Sequence, residues 1–131
     1  MKRPRVFLAD DHFDFLQAVT MLLEPHFDLV GTASDGVSLV SEVQRLKPDV
    51  IVADISMPVM NGIEAVQKLN QIGSTAKIVF LTIQTGEQFV DACLAEGAQG
   101  YVWKGLMHSH LVPAILAALD NQAYVSPLRR L

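Results

Sequence analysis

Val50-Ile51-Val52-Ala53 is an unbroken apolar run with three β-branched residues, the pattern of a strand buried on both faces of a parallel sheet. The run stops at Asp54, and Pro58 with Asn61-Gly62 supplies the turn that follows. Apolar runs recur at 6–9, 27–33, 77–82 and 100–104, with stretches of helical spacing between them. Phe13, Leu16, Thr20 and Leu23 share one such spacing before Pro25; Val40, Val43 and Leu46 or Lys47 share the next before Pro48. Ile63, Val66 and Leu69 mark a short third helix, and a fourth is predicted at 85–96 with Gly97 placed as its C-terminal cap. A last helix at 110–121 has Pro113 in its first turn, where a missing N–H does least harm. Five strands alternating with five helices through short connections predict an α/β domain, a parallel sheet with helices on both faces.

Composition narrows the classes. At 131 residues, half of them hydrophobic, the chain suits one domain with a sizeable core. A formal charge of -4 gives no electrostatic footprint for nucleic acid or anionic lipid. Lys2, Arg3 and Arg5 precede an apolar run too short for a signal peptide or a membrane span, so no membrane partner is expected. Cys93, the one cysteine, excludes an internal disulfide, fits a cytoplasmic location and reads as a small core residue on a helix. His108 and His110, two apart, point to different sides of a helix and make a poor metal pair. No glycine-rich loop follows the first strand, which disfavours a cofactor-binding flavodoxin-like protein.

The chemistry-bearing residues fall at strand ends. Asp10-Asp11, Asp54, Thr82 and Lys104 each close an apolar run, and neighbouring parallel strands bring their carboxyl ends to one edge. Singly, Asp11 also reads as a helix cap, Asp54 as a turn cap, Thr82 as a β-former and Lys104 as a surface charge; their joint placement favours a site. Three carboxylates packed at about 4 Å repel by roughly 4 kcal/mol per pair at an effective dielectric near 20. A hard divalent cation relieves that repulsion, and Mg²⁺ works from one or two carboxylates plus waters and phosphate. Lys104 and the Thr82 hydroxyl suit phosphate oxygens. A carboxylate nucleophile beside Mg²⁺, Lys and Thr is a set of parts for phosphoryl transfer to aspartate.

Asp10-Asp11, Asp54 with Met57-Pro58 and Asn61-Gly62, Leu81-Thr82, and Gly100-Tyr101 with Lys104 together resemble a response-regulator receiver domain of two-component signalling over about residues 5–121. The resemblance implies a flavodoxin-like (βα)5 doubly wound sandwich whose five-stranded parallel sheet has the order 2-1-3-4-5. It makes Asp54 the phosphoacceptor. It gives Mg²⁺ to Asp10, Asp11, Asp54 and the Ser56 carbonyl, and sets Thr82 and Lys104 on the phosphoryl group. Tyr101 matches the aromatic position that changes rotamer as the threonine moves inward. Ser56 and Gln84 match positions that set water's approach to the acyl phosphate. The implied partner is a sensor histidine kinase, or a small acyl phosphate as donor, and the implied output is transcription.

Asp11-His12 and Tyr124-Val125-Ser126-Pro127 resemble the NarL/FixJ subfamily, the latter at its junction to a helix-turn-helix half. The expected organisation is a receiver at 1–122 and a tail at 123–131 that starts a linker, with DNA contact left to an output domain absent from this chain; a stand-alone receiver is the other reading. Two departures stand out. Ile83 occupies a place that is small in most receivers and is expected to narrow the pocket lip; Gly105 replaces a proline, so Lys104-Gly105 is expected to be trans. Trp103 reads as core and as a natural fluorescent reporter of metal binding. Val112, Ile115, Leu116 and Leu119 wrap much of the last helix, leaving part of it open to a second copy, a homodimer, beside ordinary core packing. Other readings are a receiver-fold interaction module that is not phosphorylated and a phosphatase acting through an aspartyl phosphate. The phosphatase would want a second carboxylate where Ser56 stands.

Overall fold

The computed structural model describes residues 2–127. Its strands are β1 (Arg5–Ala9), β2 (Asp28–Ala33), β3 (Val50–Ala53), β4 (Lys77–Thr82), β5 (Gly100–Trp103) and β6 (Tyr124–Val125). Its helices are α1 (Phe13–Leu23), α2 (Gly36–Leu46), α3 (Gly62–Gln71), α4 (Glu87–Ala95) and α5 (Met107–Leu119), with a 3-10 turn at Lys104–Leu106. The strands form one parallel sheet of order β2-β1-β3-β4-β5-β6. Side chains alternate along each strand, so the sheet has a core on either face. Phe7, Ile51, Phe80 and Tyr101 pack towards Leu39, Val66 and Cys93 on one face; Leu8, Val52, Leu81 and Val102 pack towards Val19, Leu111 and Ile115 on the other. Cys93 is buried, and burial pushes its thiol up to about 12.

The flavodoxin-like order 2-1-3-4-5 is present, but the sheet has six strands where five were expected. Tyr124–Val125 lies beside Gly100–Tyr101, with the Tyr124 N–H donating to the Gln99 carbonyl. Two β-forming residues ahead of a proline carry too short a pattern to register as a strand alone; the open edge of β5 supplies the partner. Residues 128–131 of the expected tail lie outside the described residues. The last helix also starts three residues earlier than its spacing implied, which puts Pro113 in its interior. Pro113 and Ser109, whose carbonyl loses the i→i−4 bond, are both exposed, so the freed acceptor is not left buried. Phe13 opens α1 at the sheet rim and is 69% exposed, while Val19 and Leu23 are the residues that helix buries.

Local chemistry fixes the loops that carry the site. Asp35 caps α2 by accepting from the Ser38 N–H at 2.7 Å. Asn61 and Glu64 form a reciprocal capping box at the start of α3. A Cβ at Gly62 would lie 2.0 Å from the Asp54 carbonyl oxygen, so only glycine lets α3 begin this close to Asp54. Gly97 takes φ +90 after α4, as its position after the helix predicts. Val59 is the strained member: an 84% exposed β-branched residue at φ +69. Val59→Gly is expected to raise stability by about 1 kcal/mol, read as a higher urea midpoint at an unchanged slope.

Candidate functional site

Asp10 follows β1, Asp54 follows β3, Thr82 ends β4 and Lys104 follows β5, so the parallel sheet delivers all four to one edge. The Lys104 ammonium lies 2.7 Å from Asp10 Oδ2 and 3.1 Å from Asp54 Oδ2. It also sits 4.2 Å from the centre of the Phe15 ring, a cation–π contact that holds the side chain over the acids. Asp54 Oδ1 accepts from the Ile55 N–H at 2.7 Å. Asp10 Oδ1 accepts from the His12 N–H at 2.9 Å. His12 Nδ1 stands 3.1 Å from Asp10 Oδ1 and 3.1 Å from Asp11 Oδ1.

Ligand atoms of Asp10, Asp11, His12 and Asp54 all lie within 4.8 Å of one another. Three carboxylates face one ammonium here, a surplus of negative charge that a hard cation with oxygen ligands offsets. The donor set therefore fits the Mg²⁺ expected from the sequence. Receiver domains bind Mg²⁺ at an acidic pocket of this kind. Asp54 is only 3% exposed, and burial raises its carboxyl above the ordinary range. Lys104 opposes that shift, Asp10 adds to it, and the Thr82 hydroxyl favours the charged form.

Thr82, Gln84, Ser56 and Tyr101 are brought together at the same edge. The Gln84 N–H donates to Thr82 Oγ1 at 3.2 Å, and its side-chain amide donates to Ser56 Oγ at 3.4 Å. Tyr101 is fully buried, and its hydroxyl donates to the Gln84 carbonyl at 2.7 Å. Burial, with the charges of Cys93 and Asp54, keeps that hydroxyl protonated well above the usual tyrosine range. Ile83, between Thr82 and Gln84, is 66% exposed. Among the described residues no peptide is cis, and Lys104-Gly105 is trans as expected. A void of about 10 Å³ lies beneath Asp10, Asp54 and Phe15, lined otherwise by apolar residues such as Leu8, Val52 and Leu81. A cleft of about 700 Å³ lies elsewhere, lined by Lys47, Ser74 and Lys77 among others, and contains none of these groups.

Two members were not assigned a part in the site from the sequence. His12 was read only as a subfamily marker, although its place beside two aspartates was signal enough to put it in the cluster. Phe15 carried no signal, because nothing along the chain places a ring under Lys104.

The family comparison agrees with this geometry. A family described as "Response regulator receiver domain" matches residues 6–116. The transcriptional regulatory protein DegU of Brevibacillus brevis is 35% identical over 125 residues, covering 94% of this chain and 53% of DegU. Response regulator GacA of Pseudomonas viridiflava is 34% identical over 125 residues, covering 94% and 58%. The chain thus spans little more than half the length of these curated relatives. Among solved structures, a two-component response regulator of the LuxR family from Aurantimonas sp. SI85-9A1 superposes with a TM-score of 0.91 at 31% identity, covering 96% of this chain and 91% of that one. No described helix is long and apolar enough to cross a membrane.

Proposed function

The chain belongs to the response-regulator receiver family, of the NarL/FixJ-like kind, and from that premise we propose that Asp54 accepts a phosphoryl group and sets the state of a transcriptional output. The observation that carries this reading is the Lys104 ammonium bridging Asp10 and Asp54 beside a cluster of acids able to hold a cation. The donor is the phosphohistidine of a sensor histidine kinase, or a small acyl phosphate. One Asp54 oxygen attacks phosphorus as the bond from phosphorus to the donor breaks, and the donor keeps that electron pair. The product is an acyl phosphate on Asp54. Asp10, Asp11, Asp54 and the Ser56 carbonyl would hold Mg²⁺, which when bound would supply charge neutralisation at the phosphoryl oxygens.

This chain's own residues do the rest. Lys104 pairs with the incoming phosphoryl oxygens in place of the bare carboxylates. The Thr82 hydroxyl donates to the phosphoryl group, and the added charge of about -1.5 to -2 biases the surface of α4, β5 and α5 between two states. Tyr101 is the switch residue that follows Thr82. Ser56 and Gln84, joined over the site, limit water's approach and so set how fast the domain loses its phosphoryl group. The protein acts in the cytoplasm as a receiver occupying 1–122, with 123–131 leading towards an output domain. DNA is reached through that domain alone, and the partly exposed face of α5 around Leu116 is open to a second copy of the chain.

Incubation with acetyl phosphate and Mg²⁺ followed by intact mass tests the reading. One added phosphoryl group supports it; an unmodified chain favours the unphosphorylated interaction module. Continuous phosphate release from varied esters would favour the phosphatase, against which the Ser56 hydroxyl stands where a second carboxylate is needed. Ile83→Ala is expected to open the lip and speed phosphorylation or hydrolysis several-fold, within the tenfold that about 1.4 kcal/mol of barrier allows. Equal rates for variant and wild type in both reactions would remove Ile83 from the site.

A further inference from the structure

Strand β6 lies beyond residues 6–116, which the family pattern matches, and nothing in the phosphoacceptor chemistry uses it. It is nonetheless tied to β5 at the residues nearest the site. The Ser126 N–H donates to the Tyr101 carbonyl at 2.9 Å, and Ser126 Oγ accepts from the Trp103 N–H at 3.0 Å. Ser126 is 2% exposed, an unusual depth for a serine at a chain segment with no further packing strand beside it. The Tyr124 hydroxyl is hydrogen-bonded to His110 Nδ1 at 2.6 Å, which pins the same segment to α5.

These contacts complete a continuous path. Thr82 ends β4 beside Asp54, the Gln84 N–H donates to Thr82, the Tyr101 hydroxyl donates to Gln84, and Ser126 donates to Tyr101. We propose that residues 124–127 are a docking strand whose seat on β5 is coupled to the phosphoryl state of Asp54, so that phosphorylation tightens the segment through which anything following this domain is attached. The proposal rests on the phosphoacceptor reading. Its physical basis is that a phosphoryl group gives Thr82 and Lys104 oxygens with more charge than the carboxylate, fixing the ends of β4 and β5 on which Ser126 sits. Coupling between two sites is reciprocal, so both directions of the linkage are measured.

The 131-residue chain is titrated with beryllofluoride, a phosphoryl mimic, in Mg²⁺, with Trp103 fluorescence as readout and amide exchange followed at saturation. Exchange at the Trp103 and Ser126 amides is expected to slow about five- to tenfold, the lower range of ordinary coupling. Ser126→Pro removes both the N–H and the hydroxyl, undocks β6, and is expected to weaken beryllofluoride binding by the same factor. Unchanged exchange in saturated wild type overturns the proposal, as does equal affinity in a folded Ser126→Pro. If that variant does not fold, the wild-type exchange result decides. A wild type that neither binds beryllofluoride nor gains phosphoryl mass overturns the phosphoacceptor reading itself; one that gains mass without slower exchange overturns only the docking strand.

Discussion

Asp54→Asn is expected to gain no phosphoryl mass from acetyl phosphate and Mg²⁺ under conditions in which the wild-type chain gains one group. The amide keeps the volume and the contact with the Ile55 N–H but lacks the anionic oxygen that attacks phosphorus. A second consequence separates the nucleophile from a merely structural aspartate. Burial raises the Asp54 carboxyl above its ordinary value, so the folded state favours the uncharged form relative to the unfolded chain. That contribution to stability is complete below the unfolded value and is lost as pH rises through the raised, folded one. Above that raised value the wild type carries an ionised, buried carboxylate, and Asn relieves it. Without divalent cation the variant is expected to melt higher than the wild type, and the advantage shrinks as the medium is acidified through the raised value towards the unfolded one. A phosphoryl group on Asp54→Asn, or an advantage that grows towards acid pH, would contradict this account.

Lys104→Met is the second large effect. The ammonium is the cation shared by Asp10 and Asp54, and its side chain is nearly buried against Phe15. Methionine keeps much of the volume and the ring contact while leaving two adjacent carboxylates uncompensated. Removing one partner of a buried pair costs about 3–5 kcal/mol, and Asp10 and Asp54 are both buried here. The loss is read as a lower urea midpoint in the presence of chelator. Saturating Mg²⁺ is expected to return part of it, and more than it adds to wild type, because ligand binding to the folded state alone stabilises by mass action. Equal midpoints for variant and wild type in chelator would mean that Lys104 does not offset the charge of these acids.

The positions of Asp10, Asp54, Thr82 and Lys104 were legible because each closes an apolar run, and a parallel sheet must bring the ends of such runs to one edge. The caps at Asp35 and Asn61 are bonds between residues three apart, yet along the chain Asn61 reads only as part of a turn. Gly62 was legible as a turn residue, but the closeness of its Cα to the Asp54 carbonyl was not. The start of α5 was misplaced because Pro113 reads as a first-turn residue when solvent access at Ser109 is unknown.

By itself, then, the order of apolar runs and polar stops along this chain determined an α/β sheet, its functional edge and the residue types gathered there, because periodicity and strand polarity are local properties. Tertiary structure alone decided which oxygen of Asp10 meets Lys104, that a ring lies beneath the ammonium, that Tyr101 is held inward by the Gln84 carbonyl, and that two residues near the end add a sixth strand. The physical reason is that these contacts join residues far apart in sequence, and their geometry depends on the packing of whole elements against one another rather than on any neighbour along the chain.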